Sequence, residues 1–246
     1  MKKTAAFEIE ENRAAAAQTV CMTLCGDCSA VTQPGQFVDI ALPGKYLRRP
    51  ISVCSVRGDR LTLIYKIVGD GTRRLAEMKP GKKLELLTGL GNGFSVEKSG
   101  EKPLLIGGGA GVAPLYWLAE ALLKAGKQPK AILGFNAADE IFLASELTAL
   151  GVPCCLATAD GSVGVKGFVT DVLRIAEPEH DYIFACGPEP MLRAVYQADA
   201  ADGQYSFEAR MACGFGACMG CSCETKNGAK RICRDGPVLE RGEILW

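Results

Sequence analysis

The chain has 246 residues, 48% of them apolar, with 28 basic and 28 acidic side chains. That length holds one large domain or two smaller ones around a buried core. Balanced charge leaves no electrostatic footprint for nucleic acid or an anionic membrane, and a single histidine, His180, all but removes histidine-rich zinc catalysis.

The N-terminus opens Met1-Lys2-Lys3 as a signal peptide does, but Glu8, Glu10 and Glu11 fall where its apolar core belongs, so export is not expected. The apolar stretch 103–123 contains a glycine run, two prolines and Glu120, which suits a strand, turn and helix better than a membrane span. A soluble, cytoplasmic protein is the expectation. Twelve cysteines in such a chain point to metal binding sooner than to disulfides. No charge block, low-complexity tract or fixed-period repeat interrupts the sequence.

Residues 1–99 read as β-rich. Short alternating or β-branched runs recur at 17–24, 36–42, 51–56 and 61–68, separated by the turn signals Pro34-Gly35, Pro43-Gly44, Gly58-Asp59 and Pro80-Gly81. Strands at this spacing predict a small antiparallel barrel. Within it, Cys21, Cys25 and Cys28 have the C-x3-C-x2-C spacing of the [4Fe–4S] site in radical enzymes that use S-adenosylmethionine. Asp27 stands where those sites usually carry an aromatic, and Val20, Met22 and Leu24 alternate as in a barrel strand, so structural thiols are the better reading.

Arg49-Pro50-Ile51-Ser52 follows a turn and opens a strand. Lys66-Ile67-Val68-Gly69-Asp70-Gly71-Thr72 ends another strand in a glycine turn that leads into a helix. A helix N-terminus built of small residues seats phosphate, and Arg49 supplies a charge for the same pyrophosphate. The plainer reading is a surface arginine beside an ordinary turn.

Residues 100–205 alternate between strand and helix: strands at 104–106, 131–135, 154–158 and 182–186, helices near 114–125 and 144–150. That rhythm predicts a parallel, doubly wound sheet. The loop 107–114, Gly-Gly-Gly-Ala-Gly-Val-Ala-Pro, joins a strand to a helix and allows the close backbone approach a pyrophosphate needs. It departs from the dinucleotide fingerprint, because Pro114 stands where a third glycine is expected; a tight structural turn is the alternative. Cys186-Gly187-Pro188 ends a strand at the same carboxyl edge, where ligands collect. Neither 136–140 nor 159–162 offers a cation for a 2′-phosphate, which favours NAD over NADP.

Residues 206–246 form a third, cysteine-rich section too short for a sizeable core of its own. Cys213, Cys218, Cys221 and Cys233 give C-x4-C-x2-C-x11-C. The first three match plant-type [2Fe–2S] spacing, with the fourth further along. Glycines at 214, 216 and 220 permit positive φ and let backbone N–H groups approach sulfur. A structural zinc site normally pairs two C-x2-C knuckles, and only one is present. Cys223 is the residue most easily mistaken for a ligand, and unliganded thiols complete the alternatives.

Taken together, the R-P-I-S segment, the G-D-G-T turn, the glycine loop and the C-G-P strand end resemble the ferredoxin–NADP reductase superfamily. The stretch 208–221 adds E-x-x-M-x-C-G-x-G-x-C-x-G-C, and 233–238 reads C-R-D-G-P-V. With Leu47-Arg48-Arg49, these are similar to the electron-transfer subunits of two-subunit, NAD-linked dihydroorotate dehydrogenases, over nearly the whole chain.

The resemblance implies a six-stranded FAD-binding barrel, a doubly wound NAD domain and a small [2Fe–2S] domain. FAD would be held by Arg49, Pro50, Ile51, Ser52, Ile64, Tyr65, Lys66, Gly71 and Thr72. The nicotinamide nucleotide would be framed by Gly108, Gly109, Gly111, Ala113, Pro114, Cys186, Gly187, Pro188 and Met191. Many superfamily members carry an aromatic where Ile51 stands. A partner subunit would oxidise dihydroorotate on FMN, in a heterotetramer of two plus two serving pyrimidine biosynthesis. Electrons would reach NAD with no side chain acting as acid or base. The rival implication is the small subunit of a ferredoxin–NADP oxidoreductase or sulfide dehydrogenase, from which the cysteine loop is expected to separate this chain.

Overall fold

The computed structural model describes residues 2–246. Six strands close an antiparallel barrel in the order β1-β2-β5-β4-β3-β6: β1 (Lys3–Ala16), β2 (Thr19–Cys25), β3 (Phe37–Ile40), β4 (Arg49–Arg57), β5 (Arg60–Lys66) and β6 (Lys83–Leu90). Alternation decides which side chains enter it. Val20, Met22 and Leu24 from β2, Leu61, Leu63 and Tyr65 from β5, and Leu84 and Leu86 from β6 share one core, while Cys21 and Ile64 face outward. Helix α1 (Asp70–Ala76) follows β5 and buries Leu75 in the same core.

The α/β region has β7 (Pro103–Gly108), β8 (Lys130–Phe135), β9 (Cys154–Thr158), β10 (Val165–Lys166), β11 (Tyr182–Cys186) and β12 (Gly203–Ser206). Its helices are α2 (Val112–Lys124), α3 (Ala144–Ala149), α4 (Val169–Ala176) and α5 (Glu189–Ala198). The sheet runs β10-β9-β8-β7-β11-β12, parallel throughout. On one face, α2 buries Val112, Leu115, Leu118 and Leu122, joined by Leu147 of α3. On the other, α4 contributes Val169 and Val172, and α5 contributes Leu192 and Val195. Helices on both faces are what parallel strands require. The stretch 103–123 is indeed strand, turn and helix, and among the described residues no helix is long and apolar enough to cross a membrane.

The final section does not stand apart. A hairpin of β13 (Ser222–Thr225) and β14 (Gly228–Arg231) and the short α6 (Ile232–Asp235) lead to β15 (Val238–Glu240). That last strand pairs antiparallel with β12 and becomes the seventh strand of the sheet. Ser206 itself still belongs to β12. The barrel holds the same segment through Asn92, whose Nδ2 donates to the Val238 carbonyl at 2.7 Å while its Oδ1 accepts the Val238 N–H at 3.1 Å. Trp246 closes over Tyr196 and Phe207, with ring centroids 5.4 and 5.3 Å away.

Candidate functional site

The residues predicted from sequence fall into three groups. The first is the carboxyl edge of the parallel sheet, where the turns after β7 and β11 pack glycine against glycine. A Cβ on Gly111 would lie 2.5 Å from the Cys186 carbonyl carbon, and one on Gly187 would lie 2.7 Å from the Met191 methyl. Gly187 has φ +159 and Gly109 has φ +51, so both turns use conformations that favour glycine. Ala113 and Pro114 are buried in the first turn of α2, where a missing N–H breaks no helical bond. Pro114 thus replaces the expected third glycine without cost to the helix. Met191 does more than border the edge; its thioether fills the gap between Gly108 and Gly187. Burial, and then the Glu208 carboxylate, push the Cys186 thiol up to about 12, so it stays neutral beside this edge.

The second group lies along the barrel. The Arg49 guanidinium covers Gly71 so closely that a Cβ there would strike it. Its Nη1 donates to the carbonyls of Leu47 at 2.6 Å and Arg48 at 3.1 Å, and among the described residues it meets no carboxylate. Thr72 Oγ1 accepts from the N–H groups of Val68 at 3.0 Å and Gly69 at 3.2 Å, fixing the loop that starts α1. An unneutralised arginine beside a fixed helix start is a cradle for a pyrophosphate.

The ring-side residues divide by alternation. Ile64 faces out toward Cys21 and Cys54, whereas Tyr65 turns into the barrel core with its hydroxyl buried and unpartnered, so Tyr65 can reach a ligand only through its backbone. Lys66 bonds Glu140 of the α/β region at 2.6 Å, and Asn136 Nδ2 donates to the same carboxylate. Ile51 is half-buried against the barrel core.

The third group is the cysteine loop. Cys213 Sγ accepts the N–H groups of Ala217 at 3.3 Å and Cys218 at 3.5 Å. Desolvation raises the Cys213 thiol, but the N–H groups of Cys218, Phe215 and Ala217 outweigh it and bring it down to about 6. Cys221 and Cys233 form a second pair, Sγ to Sγ 3.2 Å, buried at 4% and 0% exposure. Positive φ at Gly214, Gly216 and Met219 turns the backbone around the outer pair. A single zinc ion needs four donors around one point. Among the described residues no three such donors are grouped that way. Two cysteines for each of two irons is the donor set of a [2Fe–2S] cluster. Cys223 stands off on β13, its thiol near the Glu224 carbonyl. Cys21 and Cys28 lie in different apolar clusters and Cys25 meets Asp59, so the N-terminal cysteines do not converge.

Residues 208–245 match the family model for the iron–sulfur cluster binding domain of dihydroorotate dehydrogenase B, and 105–197 match the oxidoreductase NAD-binding domain. The dihydroorotate dehydrogenase B (NAD(+)) electron transfer subunit of Fusobacterium nucleatum subsp. nucleatum is 43% identical over 250 residues, 96% of each chain. The chain belongs to this family of electron-transfer subunits.

Among solved structures, one of an NADH-dependent reduced ferredoxin–NADP oxidoreductase aligns with TM-score 0.89 at 28% identity, over 98% of this chain and 90% of that one. A ferredoxin–NADP reductase of Neisseria gonorrhoeae with bound FAD and NADP gives TM-score 0.71 at 18% identity, over 80% of this chain and 90% of that one, and shows the shared fold. The first alignment covers 98% of this chain, so the fold alone does not separate the two families; the family-model match over 208–245, with the 43% identity, favours the dihydroorotate dehydrogenase B subunits, as the cysteine loop led one to expect.

For an electron-transfer subunit, the placement of the cysteine loop relative to the barrel matters most, and here sequence reasoning missed two residues. Phe37 and Asp39 of β3 both face the loop. Phe37 shares an apolar cluster with Cys221, Ile232 and Cys233, and the Asp39 carboxylate lies against Gly214. In the β3–β4 ladder, Phe37 pairs with Ser52 and Asp39 with Pro50. The strand that meets the cysteine loop at Gly214 is thus bonded directly to the R-P-I-S strand. The one available signal was an acidic residue inside a four-residue apolar run.

Proposed function

We propose that this chain is the NAD-reducing half of a two-subunit dihydroorotate dehydrogenase serving pyrimidine biosynthesis, a soluble protein of the cytoplasm. One partner, an FMN-containing subunit that oxidises dihydroorotate, would assemble with it two to two. When bound, FAD and a [2Fe–2S] cluster supply the interchange between one-electron and two-electron transfer that links dihydroorotate to NAD.

The chain's own residues bind and orient. Arg49 and the first-turn N–H groups at Gly71 and Thr72 hold the FAD pyrophosphate. Pro50, Ile51, Ser52, Ile64, Lys66 and the Tyr65 backbone border its ring system. Gly108, Gly109, Gly111, Ala113 and Pro114 seat the NAD pyrophosphate, and Cys186, Gly187, Pro188 and Met191 shape the nicotinamide side. Cys213, Cys218, Cys221 and Cys233 hold the cluster. No side chain has to move a proton. The segments 1–99, 100–205 and 206–246 carry these three tasks in turn. The partner docks where Cys218 is exposed between Phe215, 44% exposed, and Met219, 54% exposed.

The observation that carries this reading is the adjacency of the paired cysteines to β3, one strand from Arg49–Ser52. The test is Cys218→Ser in the complex with the dihydroorotate-oxidising subunit. NADH still reduces FAD in this variant, while dihydroorotate-dependent NADH formation disappears; unimpaired overall turnover refutes the reading.

A further inference from the structure

Strand β3 sends Val38 and Ile40 into the barrel core and turns Phe37 and Asp39 the other way. Phe37 suits the apolar surroundings of Cys221 and Cys233. Asp39 does not. It is 2% exposed, its Oδ1 has no hydrogen-bond partner, and among the described residues its carboxylate makes no ion pair. Arg48 and Arg49 both act on it at a distance, yet Arg48 gives Nη1 to the Asp39 backbone oxygen at 3.4 Å and Nη2 to Glu85 at 2.5 Å, and Arg49 gives Nη1 to the carbonyls of Leu47 and Arg48. On its other side the carboxylate meets Gly214, the residue after Cys213, where any Cβ would collide with Oδ2.

A buried carboxylate without a partner weakens the fold, and a neutral residue of the same shape relieves that cost. Local packing therefore gives no reason for an acid at this point. Burial pushes the Asp39 carboxyl up, opposed by the nearby charges of Arg48 and Arg49. An acid without a partner thus stands in a low-dielectric layer between the R-P-I-S strand and the loop that carries the first cysteine.

We propose that Asp39 is a positioning residue whose charge sets the reduction potential of the iron–sulfur cluster held by Cys213, Cys218, Cys221 and Cys233. The inference rests on the reading of those cysteines given above. Reducing a cluster adds one electron, and a neighbouring negative charge opposes it, the more so away from water. Asp39 holds the potential below the value the same thiolates would give beside a neutral residue. That favours onward passage of the electron toward the flavin side.

The experiment is a redox titration of the purified two-subunit complex, with the reduced cluster followed by electron paramagnetic resonance. Asp39→Asn keeps the cluster signal and moves its midpoint to a more positive potential. An unchanged or more negative midpoint with an intact signal overturns the inference. Should Asp39→Asn fail to retain the cluster, Asp39→Ser carries the same expectation; loss of the cluster from both assigns Asp39 a structural role and overturns the inference equally. Wild-type complex without any reduced-cluster signal would instead refute the cysteine assignment, and this inference with it.

Discussion

Gly71 and Arg49 allow a prediction in which stability and binding move in opposite directions. Gly71 lies in the first turn of α1 without a positive φ, so alanine suits its backbone and favours the helix by at most about 1 kcal/mol, the figure for an interior position. The added methyl, however, enters the space held by the Arg49 guanidinium, with its Cζ only 2.7 Å away. The arginine must swing off the helix start. With Nη1 engaged by the carbonyls of Leu47 and Arg48, its Nε and Nη2 hydrogens are the ones free for a phosphate. Charge-assisted bonds of this kind contribute about 1.5–3 kcal/mol. At about 1.4 kcal/mol per decade, Gly71→Ala should weaken FAD binding by roughly ten- to a hundredfold.

Arg49→Gln should fall in the same range, and the double variant should cost little more than either change alone, because both remove one interaction. Titration of apo-protein with FAD, followed by flavin fluorescence, measures the affinities. Thermal unfolding of the same apo-proteins measures stability, where Gly71→Ala should equal or exceed wild type. If Gly71→Ala binds FAD as wild type does, or if the two losses simply add, Arg49 does not hold the pyrophosphate from above Gly71.

Two further expectations concern the other groups. Gly111→Ala places a methyl 2.3 Å from the Cys186 carbonyl oxygen, a backbone atom that cannot swing aside, so the β7 and β11 turns must separate; about 1–3 kcal/mol of stability and most NADH-dependent flavin reduction should be lost, as unfolding curves and stopped-flow reduction will show. In apo-protein, the half-exposed Cys213 should be alkylated first by iodoacetamide, with its rate half-maximal near pH 6. Because its folded pKa lies below the unfolded value, the stabilisation by the surrounding N–H groups is complete above the unfolded thiol range and is lost as pH falls through about 6. A half-maximal rate at the ordinary thiol value of about 8.5 would remove the backbone N–H cradle from the argument.

What could be read from sequence was local. Cysteine spacing, glycine turns after strands and the alternation of strand and helix are set within a few residues, and they located the cysteine loop, the glycine turns and the parallel sheet. The barrel was less legible at its edges. In β1 only Phe7 and Ile9 are fully enclosed, and alanines fill much of the rest, so its alternation is faint. β6 alternates through Leu84 and Leu86, but its partners β1 and β3 are far away in sequence.

Side-chain direction followed alternation that was present but unused. Leu61, Leu63 and Tyr65 share a face, which already sends Tyr65 inward. The pairing of β15 with β12, the Asn92 clamp and the opposition of Asp39 to Gly214 are long-range contacts with no local signature. They decide where the cluster loop sits.

The core geometry explains how so short a cysteine section can be placed accurately. One apolar cluster takes Phe37 and Leu90 from the barrel, Ile106, Ile183, Leu192 and Tyr205 from the sheet and its helix, and Cys221, Ile232, Cys233 and Ile244 from the final section. The section does not fold around its own core and then dock; it completes a core that the other two regions leave open. Its position is therefore fixed by close packing, in which a shift of even a methyl group is resisted. The barrel and the sheet also meet through a second apolar cluster, in which Cys21, Cys54 and Ile64 pack with Val112, Leu115 and Phe142, and the Lys66–Glu140 pair bridges the two regions as well. The spacing between the cysteine section and the R-P-I-S strand is therefore held by close packing from more than one side. An electron relay requires that rigidity, because the path from cluster to flavin has to keep its length.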